Sequence, residues 1–129
     1  MKKSVPPTIA ACLEAINEAD SEAFLACFAD DAIVIDVQRE FSGKAAIKDW
    51  SEHEVMVGNV TEEIVYVREH YGDYIVVAKV DGDFDKTNLP DPLLITNHFT
   101  LRDGKIVKLI CMLMKPAESP IEPVSNPNI

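Results

Sequence analysis

Apolar residues recur at Ile9, Cys12, Leu13 and Ile16, the i, i+3, i+4, i+7 spacing that lays one stripe along a helix. Thr8 stands before the stripe as an N-cap, and the pattern ends near Asn17. Asp20 or Ser21 then caps a second short helix carrying Phe24, Leu25 and Phe28. At FADDAIVID, residues 28–36, the period changes to two. Strand side chains alternate, so Ala32, Val34 and Asp36 share one face while Ile33, Ile35 and Val37 share the other. Neither face has the polarity of a solvent face, yet a carboxylate closes the strand. Ser42-Gly43 opens a third helix predicted through about Val57. Its broad apolar face holds Ala46, Ile47, Trp50 and Val57, with His53 one turn beyond Trp50.

The remainder reads as strands. Thr61–His70 is rich in β-favouring residues, Gly72-Asp73 makes a turn, and Tyr74–Phe84 is a long strand. A loop at Asn88–Pro92 leads to a strand over Leu93–Leu101, a hairpin turn at Arg102–Lys105 and a last strand over Ile106–Met114. Helices followed by long strands predict an α+β fold: three N-terminal helices packed over a curved antiparallel sheet, enclosing a cone with room for a ligand. Residues 1–114 form one domain on this reading. Residues 115–129 carry four Pro and no periodicity, which predicts an extended or disordered tail.

Composition narrows the function. The chain is 47% hydrophobic with five Gly, as a packed globular domain requires. Acidic residues outnumber basic ones 22 to 12, for a net charge of −10. Such a surface repels phosphate backbones and anionic lipid, which argues against nucleic acid and membrane partners. Three cysteines without a CxxC fit a reduced protein better than a disulfide framework, and a soluble cytoplasmic protein is expected. Asp81-Gly82-Asp83-Phe84-Asp85 fails the calcium-loop spacing, because Gly is second and Pro92 occupies the twelfth place. His53, His70 and His98 lack ligand spacing for zinc. No metal and no cofactor is expected.

FADDAIVID, then FSGKAAIKDW and NHFTLRDGKIVKL, resemble in order and spacing the nuclear-transport-factor-2-like superfamily, in its SnoaL-like and ketosteroid-isomerase-like branch. The resemblance covers about Ile9 to Met114 and implies a cone-shaped barrel with a hydrophobic pocket. In the isomerases the general base closes the strand after such a Phe-Ala-Asp-Asp-Ala run, which implies that role for Asp36. Their oxyanion hole pairs a Tyr on the first helix with a protonated Asp before a His-Phe pair. The matching positions here are Cys12, a poor stand-in for a phenol, and Asn97, whose amide can donate. The resemblance also implies a homodimer through the exposed sheet face.

These readings give a candidate site. Asp36 and Asn97 are the catalytic candidates, since Asp36 shares a strand face with Val34, and Asn97 interrupts an apolar stripe with Ile95, Phe99 and Leu101. Each has a structural alternative, Asp36 as a turn cap or partner of Arg39 and Asn97 as a satisfied amide. Trp50, His53, Tyr66, Phe99 and Cys12 are candidate substrate-binding residues, whose alternatives are core packing or, for His53 and Tyr66, a solvated surface. Two functions follow: a cofactor-independent isomerase or cyclase that abstracts a proton next to a carbonyl of an apolar small molecule, or a non-catalytic ligand-binding or scaffold domain.

Overall fold

The computed structural model describes residues 4–114, and the predicted tail lies outside the described residues. Helix α1 (Pro7–Asn17) begins with Pro6 rather than Thr8 at its N-cap, and Pro at the first helical position has no N–H to leave unbonded. Helix α2 (Ser21–Ala26) is capped by Asp20, whose carboxylate accepts from the Ala23 N–H at 3.0 Å. Phe28, expected on that helix, instead opens strand β1 (Phe28–Asp36). Strand β2 (Arg39–Ser42) precedes helix α3 (Lys44–Trp50), which widens into a π-helical turn over Ser51–Val55. Strands β3 (Thr61–His70), β4 (Asp73–Asp81), β5 (Leu94–Arg102) and β6 (Lys105–Met114) complete the described residues.

The six strands of the described residues form one curved, unclosed sheet in the order β2-β1-β6-β5-β4-β3. The α+β class holds, with one correction: the sheet is mixed, because β1 runs parallel to β6. Alternation says which face a side chain takes, not which strand lies beside it. The crossover that parallel neighbours require is here everything between β1 and β6, α3 included. The hairpins are set by local backbone conformation. Asp103-Gly104 and Tyr71-Gly72 both have positive φ at two successive residues, 54° and 77° and then 51° and 88°. That is the demand of a type I′ turn, and glycine meets it without a Cβ.

Helix α1 packs on β3 and β6, and α2 and α3 on β1. Between helices and sheet lies the core, built on Phe24, Phe28, Phe99, Ile9, Ile47, Ile106 and Val34, all essentially without solvent contact. Phe24 touches both Phe28 and Trp50, with ring centroids 4.9 and 6.2 Å apart, and Trp50 stacks on Phe41 at 5.8 Å. These tilted and offset contacts fix the indole at the top of α3. Among the described residues no helix is long and apolar enough to cross a membrane.

Candidate active site

The register of the sheet builds the site. Asp36 lies beside Cys111 on β6, and Cys111 lies beside Asn97 on β5. Asp36 and Asn97 therefore flank one thiol-bearing residue, about 10 Å apart backbone to backbone at the usual strand spacing. Both line one cavity of about 140 Å³ between the helices and the sheet. Cys12 from α1, Trp50 from α3 and Phe99 from β5 line it as well.

Asp36 combines a place in the cavity wall with the Arg39 pairing that the sequence offered as its structural alternative. It lines the cavity, and its Oδ2 accepts from the Arg39 guanidinium at 3.0 Å and the Trp50 indole N–H at 3.1 Å. Its side chain keeps 26% of its exposure. Arg39 also grips Glu54 with two hydrogen bonds of 2.8 and 2.6 Å, tying the hairpin to the π turn. Hydrogen bonding to Arg39 holds the Glu54 carboxyl below the usual carboxylate range. Val37, expected to continue the strand, turns away instead, 61% exposed with φ at +63°. A β-branched residue pays about 1–2 kcal/mol in that conformation. The strain sits directly beside Asp36.

The structure adds a residue that sequence reasoning passed over. Glu62, second in β3, lines the same cavity, and its Oε1 accepts from the Asn97 amide N–H at 2.8 Å. Asn17, the last residue of α1, clamps its backbone. The Glu62 N–H donates to Asn17 Oδ1 at 2.7 Å, and the Asn17 amide donates back to the Glu62 carbonyl at 3.1 Å. Burial pushes the Glu62 carboxyl up to about 7, against the opposing pull of the Asn97 hydrogen bond. A signal for it existed. Glu62 has the parity of Ile64, so it shares the apolar face of β3 while Glu63 takes the other. Burial likewise raises the Cys12 and Cys111 thiols, which keeps them protonated and poorly nucleophilic.

Two expected pocket residues lie elsewhere. His53 is 72% exposed, with Nδ1 2.9 Å from the Asp49 carbonyl and 3.2 Å from its carboxylate. The expectation rested on α-helical spacing from Trp50. The chain instead makes an i→i+5 bond, Met56 N–H to Ser51 carbonyl at 2.8 Å, and the wider turn carries His53 off the cavity face and puts Glu54 on it. The hydrogen bond to Asp49 raises the His53 pKa on the surface. Tyr66 is 54% exposed and outside the lining. A bulge between Ile64 and Tyr66 adds one residue to β3, which reverses the alternation and turns Tyr66 to the open face. His98, also on that face, pairs with Asp73 at 3.2 Å.

A curved sheet covered by helices thus encloses a small, mostly apolar cavity that holds carboxyl and amide groups. Residues 9–109 match the model of the SnoaL-like domain, and the chain belongs to that family. Among solved structures, a candidate polyketide cyclase from Sinorhizobium meliloti is 26% identical, with a TM-score of 0.77 over 87% of this chain and 100% of that one. A protein of ketosteroid-isomerase-like fold from Catenulispora acidiphila, solved with trimethylamine, is 18% identical, with a TM-score of 0.70 over 84% and 85% of the two chains. TerC, co-crystallised with polyporic acid, is 17% identical, with a TM-score of 0.67 over 83% and 88%. No curated protein matches the chain.

Proposed function

We propose that the protein is a cofactor-independent acid–base enzyme that removes a proton next to the carbonyl of a small, largely apolar molecule, in the manner of an isomerase or cyclase. The observation carrying this reading is that Asp36 and Asn97, a base and an amide donor on different strands, line the same cavity. Asp36 keeps its Oδ1 clear of the Arg39 and Trp50 bonds, which both fall on Oδ2. The free oxygen is the one to take the proton. Asn97 has a second amide hydrogen besides the one given to Glu62, and it steadies the charge that develops on the carbonyl oxygen. Crystals of two proteins of this fold with small organic molecules support a small-molecule ligand.

Size constrains the substrate. A cavity of about 150 Å³ holds a molecule such as benzene, and the one here measures about 140 Å³. A single-ring ketone fits it, and a steroid does not. Cyclohexanone in deuterium oxide is therefore a direct probe, read by loss of its α-proton signals in NMR. The protein is expected to accelerate α-exchange, and Asp36→Asn to abolish the acceleration while the fold is kept. Exchange unchanged in Asp36→Asn would overturn the assignment of the base.

The second reading, ligand binding without chemistry, is favoured by the engagement of Asp36 with Arg39 and Trp50. Its signature is saturable cyclohexanone binding with no exchange above the buffer rate. Either version works as a homodimer through the open sheet face, where Val65, Tyr66, Met112 and Met114 are exposed. Light scattering is expected to give twice the chain mass, and a monomer's mass would remove that part. Three free thiols fit a reducing, cytoplasmic setting.

A further inference from the structure

The proposed reaction leaves one chemical role unfilled. As negative charge grows on the carbonyl oxygen, a single amide hydrogen is a thin oxyanion site. Among the described residues the lining contains no Lys, Arg, His, Tyr, Ser or Thr. The Trp50 N–H is committed to Asp36, and the Cys12 and Cys111 thiols are weak donors. One strong donor is left. Glu62 reaches Asn97 through Oε1, leaving Oε2 to carry a hydrogen next to the Asn97 amide.

We propose that Glu62 is a catalytic residue that donates beside Asn97 to the carbonyl oxygen of the substrate, so that β3 and β5 together supply a two-donor oxyanion site. The proposal rests on the reading of Asp36 as base. Asp36 takes the α-proton, and the C–H electron pair becomes the carbon–carbon double bond of the enol. The carbonyl π pair moves onto oxygen and receives the Glu62 proton. Reversal returns both protons, with no net oxidation and no co-reactant. Both ends of the Glu62 backbone are held by Asn17, as precise placement of a donor requires. Its upward-shifted pKa, near 7, keeps the donating form present at neutral pH.

The titratable groups that face the same cavity are Cys12 on α1, Asp36 on β1, Glu54 on the π turn and Cys111 on β6; β4 and β5 contribute none. Both thiols are raised and stay protonated through the range in which Glu62 titrates. Glu54 is held low by Arg39 and stays ionised there.

The test uses cyclohexanone, an acceptor that does not ionise, bound to the whole chain from about pH 5.5 to about pH 9, reading affinity and the NMR shift of the carbonyl carbon. Native protein is expected to bind more weakly by about tenfold per pH unit once Glu62 loses its proton, with the carbonyl shift returning towards its value in water. Glu62→Gln keeps an N–H donor at every pH and is expected to bind with a flat profile. Glu62→Leu, which has no donor, is expected to bind weakly throughout without the carbonyl shift. A flat native profile, or a Glu62→Gln profile that still falls, overturns the proposal. So does loss of α-exchange in Glu62→Gln with exchange kept in Asp36→Asn, because Glu62 would then be the base. Asp36→Asn separates the two claims. If it still shows the pH-dependent binding while native protein shows no exchange, the base assignment fails and the donor pair stands.

Discussion

Glu62→Gln is expected to melt higher than the native protein at about pH 8 and to lose that advantage by about pH 4. The carboxyl is raised from an ordinary value near 4.5 to about 7 by burial, so the fold prefers its protonated form. Below the unfolded value both states hold the proton and nothing is lost. As pH rises from there through the folded value, the unfolded chain releases its proton while the native one keeps it, and stability falls. Above about 7 the loss is complete, at about 3 kcal/mol. Glutamine accepts the same Asn97 hydrogen bond and has no charge to bury. The gain at pH 8 corresponds to roughly 10 °C in a chain of this length. Parallel melting curves of the two proteins from pH 4 to pH 8 check it, and curves that run together at pH 8 would show Glu62 to be solvated and unremarkable.

Phe99→Ala is expected to carry the largest loss of stability, about 3–5 kcal/mol. The ring is 1% exposed in the core and also forms a wall of the cavity. Removing it subtracts its burial from the folded state and leaves space that the flanking β4 and β6 strands, locked by backbone pairing, cannot close. The same change enlarges the pocket. Two-ring ketones that the native protein excludes are expected to bind to Phe99→Ala, measured by the rise in melting temperature on adding each ketone. A destabilised variant with the native preference for single-ring ligands would mean that Phe99 packs the core but does not bound the ligand.

Much of this was legible in the chain. Alternation placed Asp36 and Asn97 on buried faces because each interrupts an apolar run with a polar group. The helical stripe in α1 brought Cys12 inward with Ile9 and Ile16. What alternation misses is any departure from its own period. The bulge in β3 turned Tyr66 outward, and the π turn removed His53 and brought in Glu54. Strand β2 is four residues long and mostly exposed, too short to show a period. Glu62 was missed for another reason. Thr61-Glu62-Glu63 reads as a solvated strand start, and only the Asn17 clamp and the Asn97 contact, across 45 and 35 residues of sequence, draw one of those acids inside.

The network around Asp36 joins three elements of the fold. Arg39 and Trp50 fix the orientation of the carboxylate through Oδ2, and the Arg39–Glu54 pair ties the mouth of the site to α3 and its π turn. The exposed ion pair adds little to stability by itself. Its worth lies in positioning.

The proposed chemistry requires a proton-bearing Glu62 and Asn97 to form one ligand-facing unit inside the cavity. NMR titration of the Glu62 side-chain carboxyl carbon, with and without cyclohexanone, tests it most directly. Titration near pH 7 is expected in the free protein, moved higher when the ketone binds and accepts from the protonated form. Titration at the ordinary glutamate value near 4.5, unmoved by the ketone, would rule that arrangement out.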